Sequence, residues 1–312
     1  MPLWLSEDDV AALATPGDAV PVIEDCFRRM AAGEIELMPR KRFPVDGGYF
    51  AVMAAADRGL GVAGLKSYTL VNGHLEFVVC LFDLSSGALT ATIAADRLGQ
   101  MRTGAATGVA AKYLAREGAS SVGLIGAGWQ AQSQLAAIRA AVPGVSRVLV
   151  SSRTAEKAAA FATANDAVVA SPEEAGGCDI VVTVTTSKRP VLEGAWLSPG
   201  ALVCAVGAND PRARELDDAV IERAAFICCD SIEDAELESG DLITPVAERR
   251  LEWSAVHELH EVVAGRAQAR TSPGDIVLFK SNGIAPWDLA LGHEVVQRAV
   301  ARGLGTRTQT SV

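Results

Sequence analysis

The chain has 312 residues, with 28 Lys and Arg against 38 Asp and Glu, a formal charge of −10 at neutral pH. That acidity excludes a general affinity for nucleic acid or for an anionic membrane, so an anionic substrate requires locally placed Lys or Arg. Apolar residues make up 49% of the chain and aromatics only 5%, a composition that builds an aliphatic core for one large or two medium domains.

The first twenty residues, MPLWLSEDDVAALATPGDAV, lack the basic start of a secretory signal, and no apolar run reaches membrane-spanning length. Residues 5–33 read as a helix capped by Ser6, with Glu7, Asp8 and Asp9 in its first turn, a break near Pro16–Gly17 and a stop at Gly33. From about 43 to 93 the texture changes to short runs, GYFAVMAA, GVAGLKSYTL, LEFVVCLFD and ALTATIA, which read as consecutive strands of a mostly antiparallel sheet. The SSG at 85–87 suits a turn between the last two, and residues 103–117 read as an Ala-rich helix.

From 121 onward apolar strands alternate with helices: SVGLIGAG, WQAQSQLAAIRAA, RVLVSS, TAEKAAAFATA, AVVA, DIVVTVTT, ALVCAVGA, ELDDAVIERA and FICCD. Strands that are apolar on both faces imply a parallel sheet covered by helices, hence an α/β fold of the Rossmann-type doubly wound class. A final helix at about 285–303 is expected to return to the N-terminal domain, and the tail GTRTQTSV to fray. The expected division is 1–112, with 286–312 returning, and 113–285. None of the six cysteines forms a CxxC pair and most lie in apolar runs, so buried reduced thiols are expected, as suits a cytoplasmic protein.

GLIGAGWQAQ carries the spacing of a dinucleotide loop at Gly126, Gly128 and Ala131, between a strand and a helix. The first glycine permits the tight turn, the second lets backbone approach phosphate, and the small Ala131 lets helix pack on strand. Trp129 and Gln130 open the helix, whose N-terminus offers free N–H groups to a pyrophosphate. An NAD-specific site wants a carboxylate at the end of the second strand, yet the position 21 residues after Ala131 is Ser152, followed by Arg153 and Thr154. A guanidinium with hydroxyl donors matches a 2′-phosphate, which favours NADP(H) with NAD(H) as the alternative. Thr154 also reads as the N-cap of the next helix.

Three basic points precede this domain: LMPRKRFPV with Arg40 and Arg42, GLKSYT with Lys66, and QMRTGAATG with Arg102. Near apolar strands in an acidic protein they suggest an anion pocket, in which a guanidinium binds carboxylate and a lysine of lowered pKa moves a proton. By composition alone, three unrelated surface cations are the better reading.

In order along nearly the whole chain, GLKSYT, LFDLSSGALTATIAAD, MRTGAATGVAAKYLA, VGLIGAGWQAQ, SSRT, VGANDPRARELD, ESGDL and FKSNGIAPWDLA resemble the ornithine cyclodeaminase/mu-crystallin family. The resemblance implies an N-terminal α+β substrate and dimerisation domain, a Rossmann domain and a helix returning, with a homodimer as the assembly. It also implies that Arg40 and Arg102 hold a substrate α-carboxylate, Arg40 being preferred over Arg42 because it directly follows Pro39, and that Lys66 contacts the same carboxylate and the imine region. Residues of KSNGIA, Lys280 and Ser281 among them, would close the pocket near the nicotinamide, and Thr185, Thr186 and Ser187 would border its ribose.

Cyclodeaminases of that family carry an Asp where this chain has Asn209, and Asn209 cannot exchange a proton; Asp210 is offset by one residue. Together with SSRT this departs from cyclodeamination toward an NADPH-dependent reductase. The expected reaction is hydride delivery to the C=N carbon of an α-imino acid, such as Δ1-pyrroline-2-carboxylate or Δ1-piperideine-2-carboxylate, giving proline or pipecolate. The rivals are an ornithine cyclodeaminase, an amino acid dehydrogenase of alanine dehydrogenase type, and a mu-crystallin-like binding protein. No metal is expected: HELHE (257–261) reads as a solvated helix face, His74 as a turn residue with a possible pocket role, Cys228–Cys229 as strand core, and SIEDAELESGDL as a loop and helix start.

Overall fold

The computed structural model describes residues 1–307. The chain divides into two compact units: Met1–Thr103 together with the segment from Gly283 onward, and Gly104–Asn282. In chain order it begins with β1 (Leu3–Leu5), α1 (Glu7–Leu13), α2 (Pro16–Ala31), β2 (Ile35–Val45), β3 (Gly48–Asp57), β4 (Val62–Val71), β5 (His74–Asp83), β6 (Leu89–Ala94) and α3 (Asp96–Leu114). It continues through β7 (Ser121–Ile125), α4 (Trp129–Ala141), β8 (Arg147–Ser151), α5 (Ala155–Asn165), β9 (Val168–Val169), α6 (Pro172–Gly176), β10 (Ile180–Thr183) and β11 (Leu202–Ala205). Next come α7 (Asp218–Arg223), β12 (Ala224–Cys229), α8 (Ile232–Glu238), α9 (Gly240–Ala247), β13 (Val256–Glu258), α10 (Leu259–Val263) and β14 (Ile276–Lys280). The chain ends in α11 (Ala285–Arg302) and β15 (Thr306–Arg307).

The first unit is built on a sheet of order β15-β1-β6-β5-β4-β3-β2, antiparallel except where β1 runs parallel to β6. Asn72 and Gly73, both at positive φ, make the tight turn from β4 to β5. Burial alternates along β3 and β4, as a sheet with one covered face requires. The cover is α11 with α2 beside it, Phe27 meeting Trp287 edge-to-face at 5.5 Å. Both opening helices start with reciprocal caps, Ser6 with Asp9 and Thr15 with Asp18, the latter with Pro16 at the first position.

In the second unit all strands are parallel, in the order β13-β12-β14-β11-β10-β7-β8-β9. Strands β10, β11 and β14 are buried at every residue, which is why they read as unbroken apolar runs. The order reverses between β7 and β10, with β8 and β9 on one side and β10 and β11 on the other. Such a switch point leaves a crevice at the carboxyl ends of the strands.

The structure departs from the sequence reading at several places. The first helix begins at Glu7, because Leu3–Leu5 form a strand whose partner β6 is remote in sequence. Strand β2 begins at Ile35 rather than 43; a register shift between Met38 and Lys41 takes Pro39 out of the ladder. Helix α3 begins at Asp96 rather than 103. Residues 232–247 are two helices, α8 and α9, rather than a loop and helix start. HELHE is not one helix face: His257 lies in β13, stacked on Phe226, and His260 in α10. Thr154 occupies the cap position of α5, but its side chain makes no cap bond. Of the tail, Thr306–Arg307 pair with β1 and 308–312 lie outside the described residues. All six cysteines are free, and among the described residues no helix is long and apolar enough to cross a membrane.

Candidate active site

In the second unit, Gly126 follows β7 with φ +119°, and a Cβ there would meet the Val184 carbonyl oxygen at 2.4 Å. Only glycine fits that turn, and its N–H donates to Ser151 O at 2.8 Å, tying the loop to β8. Gly128 is the extended cap residue of α4 and supplies no side-chain cap bond, while the Ala131 N–H donates to Gly128 O at 3.1 Å; a helix N-terminus of this kind suits an oxyanion. A Cβ at Gly128 would meet nothing within 4 Å. Trp129 is exposed, Gln130 is half-buried and Ala131 is fully buried beneath the turn. These features fit a dinucleotide pyrophosphate.

At the end of β8, Ser152 is half-buried and its Oγ accepts from the Thr154 N–H at 3.3 Å, while Arg153 and Thr154 are exposed. A cavity of about 310 Å³ opens beyond β10 and β11, lined among others by Thr185, Thr186, Ser187, Ala208 and Asn209. The neighbouring Asp210 lines the same cavity, and its carboxylate pairs with Arg212 at 2.9 and 3.0 Å. Lys280 and Ser281 were expected near the nicotinamide, but both are buried. Lys280 Nζ donates to Ala208 O at 2.5 Å and pairs with Asp241 at 3.3 Å, and Ser281 Oγ donates to Asp230 at 3.1 Å. Their side-chain polar atoms are engaged inside the unit.

In the first unit, Lys66 lies in β4 on the face covered by α11, opposite Met53 of β3. Its ammonium is 3.0 Å from Oδ1 of Asp288, and Arg102 Nε from α3 is 3.1 Å from the same oxygen. Asp288, in the first turn of α11, is wholly buried, and Lys66 and Arg102 are nearly so. Arg40 is also buried, its Nη2 donating to Gly283 O at 2.9 Å and lying 3.7 Å from Met53 Sδ. Arg40, and not Arg42, joins this group; Arg42 lies over the ring of Tyr49. His74 stands exposed at the start of β5, away from the group.

Two cations that share one carboxylate oxygen leave an excess of positive charge in the interior. Burial pulls the Lys66 ammonium down to about 8 from its usual range; Asp288 opposes that, and Arg102 and Arg40 reinforce it. Arg102 Nη1 and Asp288 Oδ2 are buried without a hydrogen-bond partner among the described residues. Buried polar atoms of this kind are otherwise satisfied, so they mark where a ligand's anionic and N–H groups would complete the bonding.

Asp288 carried no role in the sequence reading, although it lies within the quoted APWDLA. A signal was present: Asp288, Leu291 and Val295 share one helix face by their spacing, and a carboxylate on an otherwise apolar face needs a buried cation.

The model of the ornithine cyclodeaminase/mu-crystallin family matches residues 2–303. The chain is 34% identical to the Δ1-pyrroline-2-carboxylate reductase of Bacillus cereus, over 83% of this chain and 84% of the relative. Among solved structures it is similar to an archaeal alanine dehydrogenase dimer with bound NAD, at 30% identity and a TM-score of 0.94, covering 99% of each chain. It is likewise similar to the Δ1-pyrroline-2-carboxylate reductase of Thermococcus litoralis in complex with NADH and L-proline, at 30% identity and a TM-score of 0.92, covering 98% of this chain and 100% of that one. A match of this extent, on both units and in the same order, means that the chain belongs to the ornithine cyclodeaminase/mu-crystallin family.

Proposed function

We propose that the protein is an NAD(P)H-dependent reductase of α-imino acids, with cyclic imines such as Δ1-pyrroline-2-carboxylate or Δ1-piperideine-2-carboxylate as substrates and proline or pipecolate as products. The observation that carries this reading is the buried set of Lys66 and Arg102 on one oxygen of Asp288, joined by Arg40 in the same unit. A carboxylate bound there meets guanidinium donors in a geometry suited to its two oxygens. The likeness to a Δ1-pyrroline-2-carboxylate reductase, and to another solved with NADH and L-proline, supports the substrate class.

In this reading Arg40 and Arg102 bind and orient the substrate carboxylate, which fixes the imine carbon for attack. Lys66, as ammonium, completes the charge balance and holds a proton at the imine nitrogen, directly or through an ordered water. Protonation matters because an iminium carbon accepts hydride more readily than a neutral imine carbon. Asp288 keeps Lys66 charged and in place. The bound cofactor supplies the hydride. Asn209, lining the cavity beyond β11, offers an amide for hydrogen bonding and no proton for transfer, which disfavours ornithine cyclodeamination.

Gly126, Gly128 and the open end of α4 are the proposed pyrophosphate site, with Thr185 and Thr186 at the nicotinamide ribose. The exposed Arg153, beside Ser152 and Thr154, favours NADP(H), while the NAD and NADH of the similar structures keep NAD(H) as the alternative. The likeness to alanine dehydrogenase favours a second reading, in which the same site takes the imine formed from a 2-oxo acid and ammonium. A homodimer fits the first unit, where Phe43, Phe50, Val52, Leu65, Val78 and Phe82 present a half-open apolar sheet face away from α11. Free buried thiols fit a cytoplasmic setting. The direct test is oxidation of NADPH or NADH by a cyclic imino acid, with the saturated amino acid as product.

A further inference from the structure

Beneath the cavity beyond β10 and β11 lies a buried carboxylate for which the reaction as derived has no use. Glu215 is fully buried and accepts five hydrogen bonds. Its Oε1 receives the N–H and the hydroxyl of Thr185, each at 2.7 Å. Its Oε2 receives the Thr183 hydroxyl at 3.1 Å, the Gly207 N–H at 2.7 Å and the Ala208 N–H at 3.1 Å. One side chain thus grips the loop after β10 and the loop after β11 together. The approach is close: a Cβ on Gly207 would lie 2.4 Å from both the nitrogen and the oxygen of Thr185.

The grip is itself held. Asp241 Oδ1 accepts from the Glu215 and Leu216 N–H groups at 2.8 and 3.0 Å, and its other oxygen pairs with Lys280. Lys280 closes the circuit by donating to the carbonyl of Ala208, whose N–H is bound by Glu215. Burial raises the Glu215 carboxyl above its usual range, while Lys280 and Thr185 oppose that. A buried charged group persists in a fold only where its lone pairs are met, and here every donor comes from a cavity-forming loop or its strand.

We propose that Glu215 is a positioning residue for the nicotinamide half of the cofactor, setting the spacing of the two loops that form that cavity, with Asp241 and Lys280 holding it in register. The inference rests on the reading that Thr185, Thr186 and the 207–209 loop border the nicotinamide and its ribose. Glu215 touches neither ligand nor substrate. Its effect passes through the N–H groups of Thr185, Gly207 and Ala208, and its side chain makes no hydrogen bond to the Gly126 loop or to α4 among the described residues.

The test compares binding of each reduced dinucleotide with binding of the same molecule lacking nicotinamide, ADP-ribose for NADH and 2′-phospho-ADP-ribose for NADPH. Glu215→Gln keeps the shape but replaces an acceptor oxygen with an amide donor that faces N–H groups. It is expected to weaken the reduced dinucleotide by at least ~10-fold, the cost of about one charged hydrogen bond, and to leave the truncated ligand within ~2-fold. Thr183→Val removes one buried donor remote from the cavity lining, and is expected to act in the same direction by ~3-fold, which keeps the test available if Glu215→Gln does not fold. Equal weakening of both ligands in these variants, or no weakening of either, overturns the positioning role. If instead the unaltered protein binds the dinucleotide no tighter than its truncated form, the nicotinamide reading of the cavity fails, and the inference with it.

Discussion

Lys66 Nζ and Asp288 Oδ1 stand 3.0 Å apart in the interior of the first unit, and Arg102 Nε competes for the same oxygen at 3.1 Å. Asp288 is therefore what keeps a buried lysine charged against burial and two guanidinium neighbours, with its ammonium brought down only to about 8. If the charged form of Lys66 is the active one, kcat/KM falls as pH rises through about 8. In Asp288→Asn the negative charge that favours the ammonium is gone, so the pKa drops further and the alkaline limb moves to lower pH. A proton on the substrate alone would leave that limb unmoved between the two proteins, so the pH profiles of the pair decide which group titrates.

Arg102 contributes through geometry as well as charge. Arg102→Lys keeps the cation but loses the planar fork, at a cost of about 1.5–3 kcal/mol for a charged hydrogen bond, or ~10–100-fold in substrate KM. Steady-state kinetics at saturating cofactor measure this, and a KM within ~2-fold of the unaltered protein would place the carboxylate elsewhere.

Lys66→Met removes the proposed proton carrier and keeps an aliphatic stem near Phe77. Turnover is expected to fall by ~10²–10⁴-fold, the usual contribution of a positioned proton donor. Cofactor affinity, measured by titration without substrate, should stay unchanged, because the proposed dinucleotide site is built from residues of the other unit. Loss of both together would mean that Lys66 supports the fold rather than the reaction.

The proposed preference for NADP(H) rests on Arg153. Arg153→Asp places a carboxylate where a 2′-phosphate would lie, and is expected to weaken NADPH by ~10–100-fold with little effect on NADH. Equal effects on the two would assign the 2′-phosphate to other residues.

The doubly wound unit was legible because strands buried on both faces appear as continuous apolar runs, and WQAQSQLAAIRAA bounds α4 to the residue. Short strands were not legible. Leu3–Leu5 and Thr306–Arg307 owe their form to pairing with partners distant in the chain, and two or three residues carry no periodicity of their own. Strand β2 hid behind Pro39, Pro44 and its charges, since the sequence does not show that a register shift removes Pro39 from the ladder. The stretch SIEDAELESGDL read as a loop and helix start, whereas its Asp241 is bound by Lys280 and the preceding Asp230 by Ser281 and Asn282. For the same reason Glu215 and Asp288 escaped notice: the partners that make a buried acid tolerable come from other elements, and pairwise tertiary contact is not written in local pattern.

The most direct measurement is reduced-cofactor consumption by the purified protein across three substrate sets: cyclic imines of the pyrroline- and piperideine-2-carboxylate type, 2-oxo acids with ammonium, and ornithine without added reductant. NADPH, or NADH, should be oxidised with a cyclic imine as the best substrate, yielding proline or pipecolate in equal amount, and ornithine should release no ammonia. Ammonia and proline from ornithine, or no cofactor oxidation with any cyclic imine, would contradict an imine reductase built on Arg40, Lys66 and Arg102.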